Sequence, residues 1–194
     1  MQLSPEIIEE IVRSVPRRAH VIPGYVPSAV MMLFFNRGPE TYLVYIRRTK
    51  GMNLHSGQMA FPGGKIEPNE SSYAAAVRET LEEIGVPESE YRHLGDMGYF
   101  ETLTSRYDAV AHLAWCPNPP TYQPSAREVA AVVEIPISVL RAQFRPDLDF
   151  SNYDELIYLN FRYRPEGHSE VTLWGLTARI THHFLSGLTR SSAP

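Results

Sequence analysis

Residues 64–86 read GKIEPNESSYAAAVRETLEEIGV, a glycine turn that leads into a segment rich in glutamate. Glu79, Glu82 and Glu83 stand at offsets of zero, three and four, so a helix would place them on one face. Three carboxylates on one face repel each other and cost stability unless a cation neutralises them. The spacing therefore indicates a site for a hard divalent cation together with phosphate oxygens.

The alternative interpretation of this segment is a plain solvated helix face, which is the commoner reason for clustered glutamate. Such a face usually mixes in lysine to form opposite-charge pairs. Here Arg78 is the only basic residue between Glu70 and Gly85. The scarcity of basic residues therefore favours the cation site.

The segment from Ser71 to Ile84 is predicted to form the acidic helix. Serine hydroxyls at its start can cap it, and Gly85 followed by Pro87 would end it. An apolar stripe at helical spacing consists of Ala74, Val77, Leu81 and Ile84. The stripe predicts that the acidic face lies away from the side that packs on the core.

The same residues resemble the Nudix box, which runs glycine, five residues, glutamate, seven residues and Arg-Glu-x-x-Glu-Glu-x-Gly with an aliphatic residue. The matching positions are Gly64, Glu70, Arg78, Glu79, Glu82, Glu83 and Gly85. Thr80 stands where the pattern prefers a bulky aliphatic residue, but its volume is close to that of valine. The resemblance implies an α+β protein with a Nudix-type α/β/α sandwich and a mixed β-sheet. It also implies hydrolysis of a diphosphate with Mg²⁺ or Mn²⁺ as the cofactor.

The resemblance carries roles to the residues of the box. Glu79 and Glu83 match metal ligands of the family, and Glu82 is expected to serve a second ion or the attacking water. The expected metal set is thus Glu79, Glu82 and Glu83, and the expected catalytic group is Glu82, Arg78 and Glu79. We expect Arg78 to orient a neighbouring glutamate and to pair with Glu70, which would hold the turn against the helix.

The general base stays open at this stage, because in the Nudix class it can come from the helix or from a distant loop. Glu82 is our first choice. Glu101 and Glu155 are the other candidates, although carboxylates in such positions are more often plain surface residues.

The residues upstream of the turn are similar to an additional motif of coenzyme A pyrophosphatases, which runs Arg-Ser/Thr and then Leu-Arg-x-His-x-Gly-Gln-Val-x-Phe-Pro-Gly-Gly. The matching residues are Arg48, Thr49, His55, Gly57, Gln58, Phe61 and the Pro-Gly-Gly turn at 62–64. Asn53 replaces the arginine of the motif, so Lys50 or Arg47 would have to supply its contact with a coenzyme A phosphate. The expected substrate-binding residues are Arg48, His55, Gln58, Gly63 and Gly64.

A second similarity to this subfamily lies at residues 173–180, LWGLTARI, which we expect to belong to the closing helix. Trp174 is expected to anchor the core at the start of that helix, with stacking on an adenine as the alternative. His55 is either a substrate contact or a hydrogen-bonded structural residue. His182 and His183 are expected to be ordinary helix residues, because adjacent positions do not point two ligands at one metal.

Strands are predicted on both sides of the acidic helix from patterns of β-branched, aromatic and turn residues. They are Val26–Phe35, Thr41–Arg48, Gly57–Phe61, Arg92–Leu103, Asp108–Cys116, Val129–Ile135 and Leu156–Tyr163. Further helices are predicted at residues 5–13, 137–144 and 175–188.

Length and composition indicate an ordinary globular protein. We expect one domain, residues 1–194, with an N-terminal helix and a C-terminal helical extension. The net charge of −4 argues against a nucleic-acid partner. The sequence contains no apolar run long enough to span a membrane, so no membrane partner is expected. Cys116 is the only cysteine and is expected in a buried strand, so a reducing, cytoplasmic location is expected. A homodimer is expected only from the habit of the class.

Hydrolysis of coenzyme A to 3′,5′-ADP and 4′-phosphopantetheine is the function that the two similarities imply together. Acyl-coenzyme A and oxidised coenzyme A are further expected substrates, because the thiol end is far from the cleaved bond. One alternative is a hydrolase of another nucleotide such as ADP-ribose or a dinucleotide. The other is a non-catalytic Nudix-fold nucleotide sensor, a class that commonly loses the box carboxylates, all of which are intact here.

Overall fold

The computed structural model describes residues 1–49, 57–102, 104–148 and 159–191. The helices are α1 (Pro5–Ser14), α2 (Ser72–Ile84), α3 (Ile137–Ala142) and α4 (Gly175–Ser191). The strands are β1 (Val26–Arg37), β2 (Glu40–Arg48), β3 (Met59–Ala60), β4 (Gly63–Lys65), β5 (Arg92–Glu101), β6 (Tyr107–Trp115), β7 (Val129–Pro136), β8 (Asn160–Tyr163) and β9 (Val171–Trp174). A short 3₁₀ turn spans Glu88–Glu90. The expectations for Lys50, Asn53, His55 and Glu155 lie outside the described residues.

Seven of these strands form one mixed sheet. Its main path is β3-β2-β1-β6-β5, with β4 paired to β1 and β7 paired to β2. β1 and β6 run parallel, and the other pairs are antiparallel. β8 and β9 form a separate antiparallel pair. The mixed sheet predicted for this α+β protein is therefore confirmed.

Two apolar cores lie on opposite faces of the sheet, because successive side chains of β1 point to opposite sides. Met32 and Phe34 belong to the core that α1 and α4 cover. Met31 and Leu33 belong to the core that α2 covers. The helices thus flank the sheet on both sides, as the sandwich prediction requires.

Helix α2 begins and ends as predicted, but a different face is buried. The Ser71 hydroxyl accepts a hydrogen bond from the Ala74 N–H, and Gly85 ends the helix in the left-handed conformation. Leu81, predicted to be in the core, is 51% exposed. The buried residues are instead Ala75, Ala76, Thr80, Glu83 and Ile84.

The apolar-stripe prediction was wrong for Ala74 and Leu81, which are exposed, whereas Ile84 is buried and Val77 packs against the core. Small residues let α2 approach the sheet closely. Ala75 and Ala76 are completely buried against it, and Thr80 fits there because its hydroxyl donates to the Ala76 carbonyl at 2.7 Å. One consequence bears directly on the site. Glu83 shares the buried side of the helix, so the three carboxylates do not all lie away from the core.

The chain before α4 also differs from the prediction. Leu173 and Trp174 end strand β9, which was not predicted, while the helix starts at Gly175 as predicted. Val171 and Leu173 are buried, whereas Trp174 is 50% exposed. This alternation is typical of a half-buried strand. The prediction that Trp174 anchors the core was therefore wrong.

Smaller expectations are mostly confirmed. Cys116 is buried directly after β6, and both His182 and His183 lie within α4. The strand predicted at Gly57–Phe61 is shorter, because only Met59–Ala60 pairs with β2. Within the described residues, no helix combines the length and the apolar character needed to span a membrane.

Candidate active site

The turn at Gly63–Gly64 is held between the sheet and helix α2. Strand β4 pairs with Ser28, Ala29 and Val30 of β1, which fixes the turn at the sheet. The Gly63 N–H donates to Oε2 of Glu83 at 2.9 Å. At Gly64, any Cβ would collide with the Glu79 carboxylate. The glycines are thus needed so that the turn can lie directly against two of the box carboxylates.

Glu83 is a completely buried carboxylate with little compensating positive charge. Its Oε1 lies 3.4 Å from Nη1 of Arg48, a long contact on a guanidinium that is partly exposed. Burial raises the pKa of Glu83 to about 7, although the Gly63 hydrogen bond and the charge of Arg48 act in the opposite direction. The nearby Glu79 adds to the rise. A cation beside Glu83 would remove this electrostatic cost.

Arg78 ties the turn to the helix, as the sequence predicted. Its Nε and Nη2 donate to the two oxygens of Glu70 at 3.0 and 3.1 Å, and Nη2 also donates to the Lys65 carbonyl at 3.1 Å. Nη1 lies 2.8 Å from Glu79 and 3.4 Å from Glu82. Hydrogen bonds from Arg78 lower the pKa of the Glu70 carboxyl. Arg78 therefore contacts three of the box carboxylates, those of Glu70, Glu79 and Glu82.

The three expected metal ligands differ in exposure. The Glu79 side chain is mostly covered, that of Glu82 is 59% exposed, and Glu83 is buried. No group of three or more His, Cys, Asp or Glu side chains forms a ready-made metal site in the described ranges. Sharing one cation would require Glu79 and Glu82 to leave their contacts with Arg78. Their chemistry still fits, since all three offer the oxygen ligands that Mg²⁺ and Mn²⁺ prefer.

Glu101, one of the alternatives for the general base, is committed to other partners. Its carboxylate lies 3.1 Å from both Arg18 and Arg179. Burial acts to raise the pKa of Glu101, but backbone hydrogen bonding and these two guanidinium groups lower it overall. A carboxylate held ionised between two arginines is a poor proton acceptor, which disfavours Glu101 as the general base.

An open pocket of about 870 Å³ adjoins the box on the side of Arg48. It is lined by Arg47, Arg48, Thr49, Gly57, Gln58, Met59, Ala130, Glu170, Val171, Thr172 and Trp174. Arg48 belongs to the pocket wall and also contacts Glu83, so this arginine links the pocket to the box carboxylates. A pocket of this volume suits a nucleotide-sized ligand.

A family model described as the NUDIX domain matches residues 25–155, a span that contains the complete box. The chain belongs to the Nudix family. NudL, a Nudix hydrolase of Yersinia enterocolitica, is 32% identical over 146 residues, which make up 73% of this chain and 71% of NudL. A probable Nudix hydrolase of Schizosaccharomyces pombe is 29% identical over 163 residues, or 83% of this chain, and this match spans about half of that longer protein (55%).

Solved structures agree on the Nudix fold. A MutT/nudix family protein of Enterococcus faecalis superposes with a TM-score of 0.56 at 16% identity, covering 98% of this chain and 74% of its own. The Nudix hydrolase RenU of M. smegmatis gives a TM-score of 0.51 at 18% identity, and the match covers 60% of this chain and 81% of RenU. At such identities the likeness concerns the fold alone.

The substrate-binding residues expected for this Nudix chain fall into two groups. Arg48 and Gln58 line the pocket, and Gly63 and Gly64 lie at the box carboxylates. His55 lies outside the described residues. Sequence reasoning missed the wall formed by strand β9 and the residue before it, namely Glu170, Val171, Thr172 and Trp174. The alternating pattern Val-Thr-Leu-Trp at 171–174 is the signal that could have found it.

Proposed function

We propose that this Nudix hydrolase cleaves the diphosphate bond of coenzyme A with Mg²⁺ or Mn²⁺, releasing 3′,5′-ADP and 4′-phosphopantetheine. The position of Arg48 carries the proposal. This arginine belongs to the upstream motif that resembles coenzyme A pyrophosphatases, and it joins the pocket to the box through its 3.4 Å contact with Glu83. Acyl-coenzyme A and oxidised coenzyme A are further substrates in this proposal.

In this proposal, the residues of the box bind the divalent cation that diphosphate cleavage needs. Glu79 and Glu83 would hold the cation, with Glu83 oriented by the Gly63 N–H and Glu79 by Arg78, while Glu82 would serve a second ion or the attacking water. When bound, Mg²⁺ or Mn²⁺ would neutralise the diphosphate charge that otherwise repels an incoming nucleophile.

Arg48 and Glu82 act on the reacting groups themselves. The Arg48 guanidinium binds a diphosphate oxygen, a charge-assisted contact for which a planar guanidinium is well suited. Glu82, the most exposed of the three carboxylates, accepts the proton of the attacking water. Gln58 lines the pocket and adds a polar contact to the substrate.

Turnover of purified protein with Mg²⁺ tests the proposal, with coenzyme A, ADP-ribose and a dinucleotide compared and products identified by mass spectrometry. We expect kcat/KM to be highest for coenzyme A and the products to be 3′,5′-ADP and 4′-phosphopantetheine. A higher kcat/KM for ADP-ribose or the dinucleotide would show that this compound, and not coenzyme A, is the preferred substrate. Tight nucleotide binding without cleavage of any of the three would indicate a sensor.

A pair of variants assigns the activity to this site. Glu83→Gln should lose about 100-fold or more of kcat, because it removes a charged ligand while keeping the shape. Glu10→Gln, on the exposed face of α1, is the matched control and should keep full activity. Full activity in Glu83→Gln would exclude the proposed metal site.

A further inference from the structure

Strand β9 presents a polar and aromatic face to the pocket. Leu173 is buried in the core, so Thr172 and Trp174 point to the other face of β9 and line the pocket. Glu170, which precedes the strand, and Val171 at its start line the pocket as well. Trp174 is 50% exposed, which is unusual for the largest aromatic side chain when it does not cover the core. An exposed indole face inside a nucleotide-sized pocket is a platform on which a purine can stack.

Besides Arg48, a second positively charged side chain, that of Arg47, lines the pocket away from the box. Consecutive residues of β2 alternate between the sheet faces: Tyr45 belongs to the core under α1 and α4, and Ile46 to the core under α2. The side chain of Arg48 points to the α2 side of the sheet, as that of Ile46 does, and contacts Glu83. The side chain of Arg47 therefore points to the opposite side, where Tyr45 lies. The Arg47 guanidinium forms no ion pair with residues in the described ranges.

The charge of the pocket wall favours an anion. Among the described residues, its lining contains two guanidinium groups and one carboxylate, that of Glu170, which is exposed. Arg48 is placed for a phosphate next to the box, and Arg47 lies on the opposite sheet face, beside the wall that carries Trp174. The arrangement therefore fits a ligand with two separate anionic groups and one aromatic ring between or beside them.

We propose that Trp174 and Arg47 bind the 3′-phosphoadenosine end of the substrate, with the adenine stacked on the indole and the 3′-phosphate bound by the guanidinium. This inference rests on the proposed function and deepens it. Coenzyme A has a 3′-phosphate in addition to its diphosphate, whereas ADP-ribose and unmodified dinucleotides do not. Arg47 thereby selects coenzyme A among diphosphates, and it supplies the phosphate contact for which the motif's arginine is replaced by Asn53.

Direct binding tests the site without any dependence on turnover. The chain has two tryptophans, so Trp174→Phe leaves Trp115 as the only indole. In metal-free buffer, 3′,5′-ADP should quench the fluorescence of the wild-type protein, and the quenching should disappear in Trp174→Phe. Quenching of equal size in both proteins, or none at millimolar 3′,5′-ADP, would overturn the stacking role.

Substrate discrimination tests Arg47. Arg47→Gln should reduce the ratio of kcat/KM for coenzyme A over 3′-dephospho-coenzyme A by about 10-fold or more, since a charge-assisted phosphate contact is lost. Its activity on the dephospho substrate should stay within about 2-fold of wild type. Arg13→Gln, an exposed arginine of α1 outside the pocket, is the matched control and should leave the ratio unchanged. An unchanged ratio in Arg47→Gln would overturn the role of Arg47.

Kinetic constants separate stacking from a structural role of Trp174. Trp174→Ala should raise KM for coenzyme A by about 5- to 100-fold, the range expected for loss of one base–aromatic stack, with kcat nearly constant. Trp174→Phe should recover most of this loss, because phenylalanine keeps an aromatic face. A fall in kcat with unchanged KM would contradict the proposal.

The two proposals fail in distinguishable ways. If wild-type protein cleaves no coenzyme A but 3′,5′-ADP still quenches Trp174 more strongly than 5′-AMP does, the proposed function is wrong and the binding site stands. If coenzyme A is cleaved and neither Trp174 nor Arg47 variants change its discrimination, the function stands and this inference is wrong.

Discussion

Burial of the Glu83 carboxylate costs stability in the metal-free protein and favours binding of a cation. Glu83 is completely buried, and burial raises its pKa to about 7, so its ionised form is costly in the metal-free fold. Buried carboxylates of this kind are frequent at functional sites, because binding of a cation returns the lost stability. In the proposed function, the position of Glu83 against the Gly63 N–H favours cation binding and costs stability in the metal-free protein.

Gly64 provides a sharp residue-scale prediction. A methyl group in Gly64→Ala would displace the Glu79 carboxylate, and displacement of a reacting group by about 1 Å costs about 100-fold in rate. We therefore expect kcat to fall by about 100-fold, while the melting temperature changes little because the flexible Glu79 side chain can move away.

Gly38→Ala is the matched control for this change. Gly38 has a φ of 60° and open space around its Cα, so alanine there should cost about 1 kcal/mol of stability without affecting kcat. Turnover and thermal unfolding of both variants check the pair. Full activity in Gly64→Ala would show that the close approach to Glu79 is not required.

At this scale the sequence predicted identities better than environments. Spacing located every box residue and the Arg78–Glu70 pair. It placed Glu83 on an exposed face, because helical periodicity gives the angles between side chains but not which side meets the sheet. Ala75 and Ala76 pack there, and small residues carry little hydrophobic signal.

At the scale of elements, strands β5 and β6 meet the start of helix α2 at a buried histidine. His112 shares a hydrogen bond of 3.1 Å with the Ser72 hydroxyl and another of 3.1 Å with His93. Tyr73 stacks on His93 with ring centroids 4.0 Å apart. Burial and the neighbouring His93 lower the pKa of His112 to about 4.

This histidine makes stability depend on pH in a defined direction. Because the folded pKa lies below the unfolded value of 6.5, the contribution of neutral His112 is fully present above pH 6.5 and is lost as the pH falls towards 4. The shift corresponds to about 3 kcal/mol. Urea unfolding of wild type and His112→Gln across pH 4–7 measures it: the wild-type protein should lose about 3 kcal/mol more than the variant, and parallel profiles would contradict the prediction.

Most elements were predictable from turn residues and hydrophobic patterns, and their ends agree within a few residues. β9 was not predicted, since the similarity at residues 173–180 directed attention to the closing helix and not to the residues before it. The physical reason for a strand is the alternation of buried and exposed residues at 171–174, where packing on one side only is possible. That element carries one wall of the pocket, so its omission hid half of the candidate site.

At the scale of the whole molecule, the helices near the two ends of the chain pack together. A Cβ at Gly187 of α4 would lie 2.7 Å from Ile11 of α1, so the two helices are in close contact. Ile8 and Ile11 are completely buried. This packing joins α1 to α4 within the described residues, and one domain over residues 1–194 stays a prediction.

Ile11→Ala tests this packing. Truncation of a completely buried isoleucine should lower the free energy of unfolding by about 2–5 kcal/mol. Ile7→Ala on the same helix is the matched control, because Ile7 is 36% exposed and should cost much less. Both proteins should unfold in one transition by fluorescence and circular dichroism. A separate early transition, or equal costs of the two changes, would show that α1 is not part of the same unit.

Divalent-cation binding is the claim on which both the function and the placement of the box depend. A titration with Mn²⁺, followed by the electron paramagnetic resonance signal of the free ion, measures it directly on wild type, Glu83→Gln and Glu10→Gln. We expect at least one Mn²⁺ per chain for wild type and Glu10→Gln, and an affinity at least about 10-fold lower for Glu83→Gln. Equal Mn²⁺ affinity in all three proteins would contradict the assignment of Glu83 and its neighbours as the metal site.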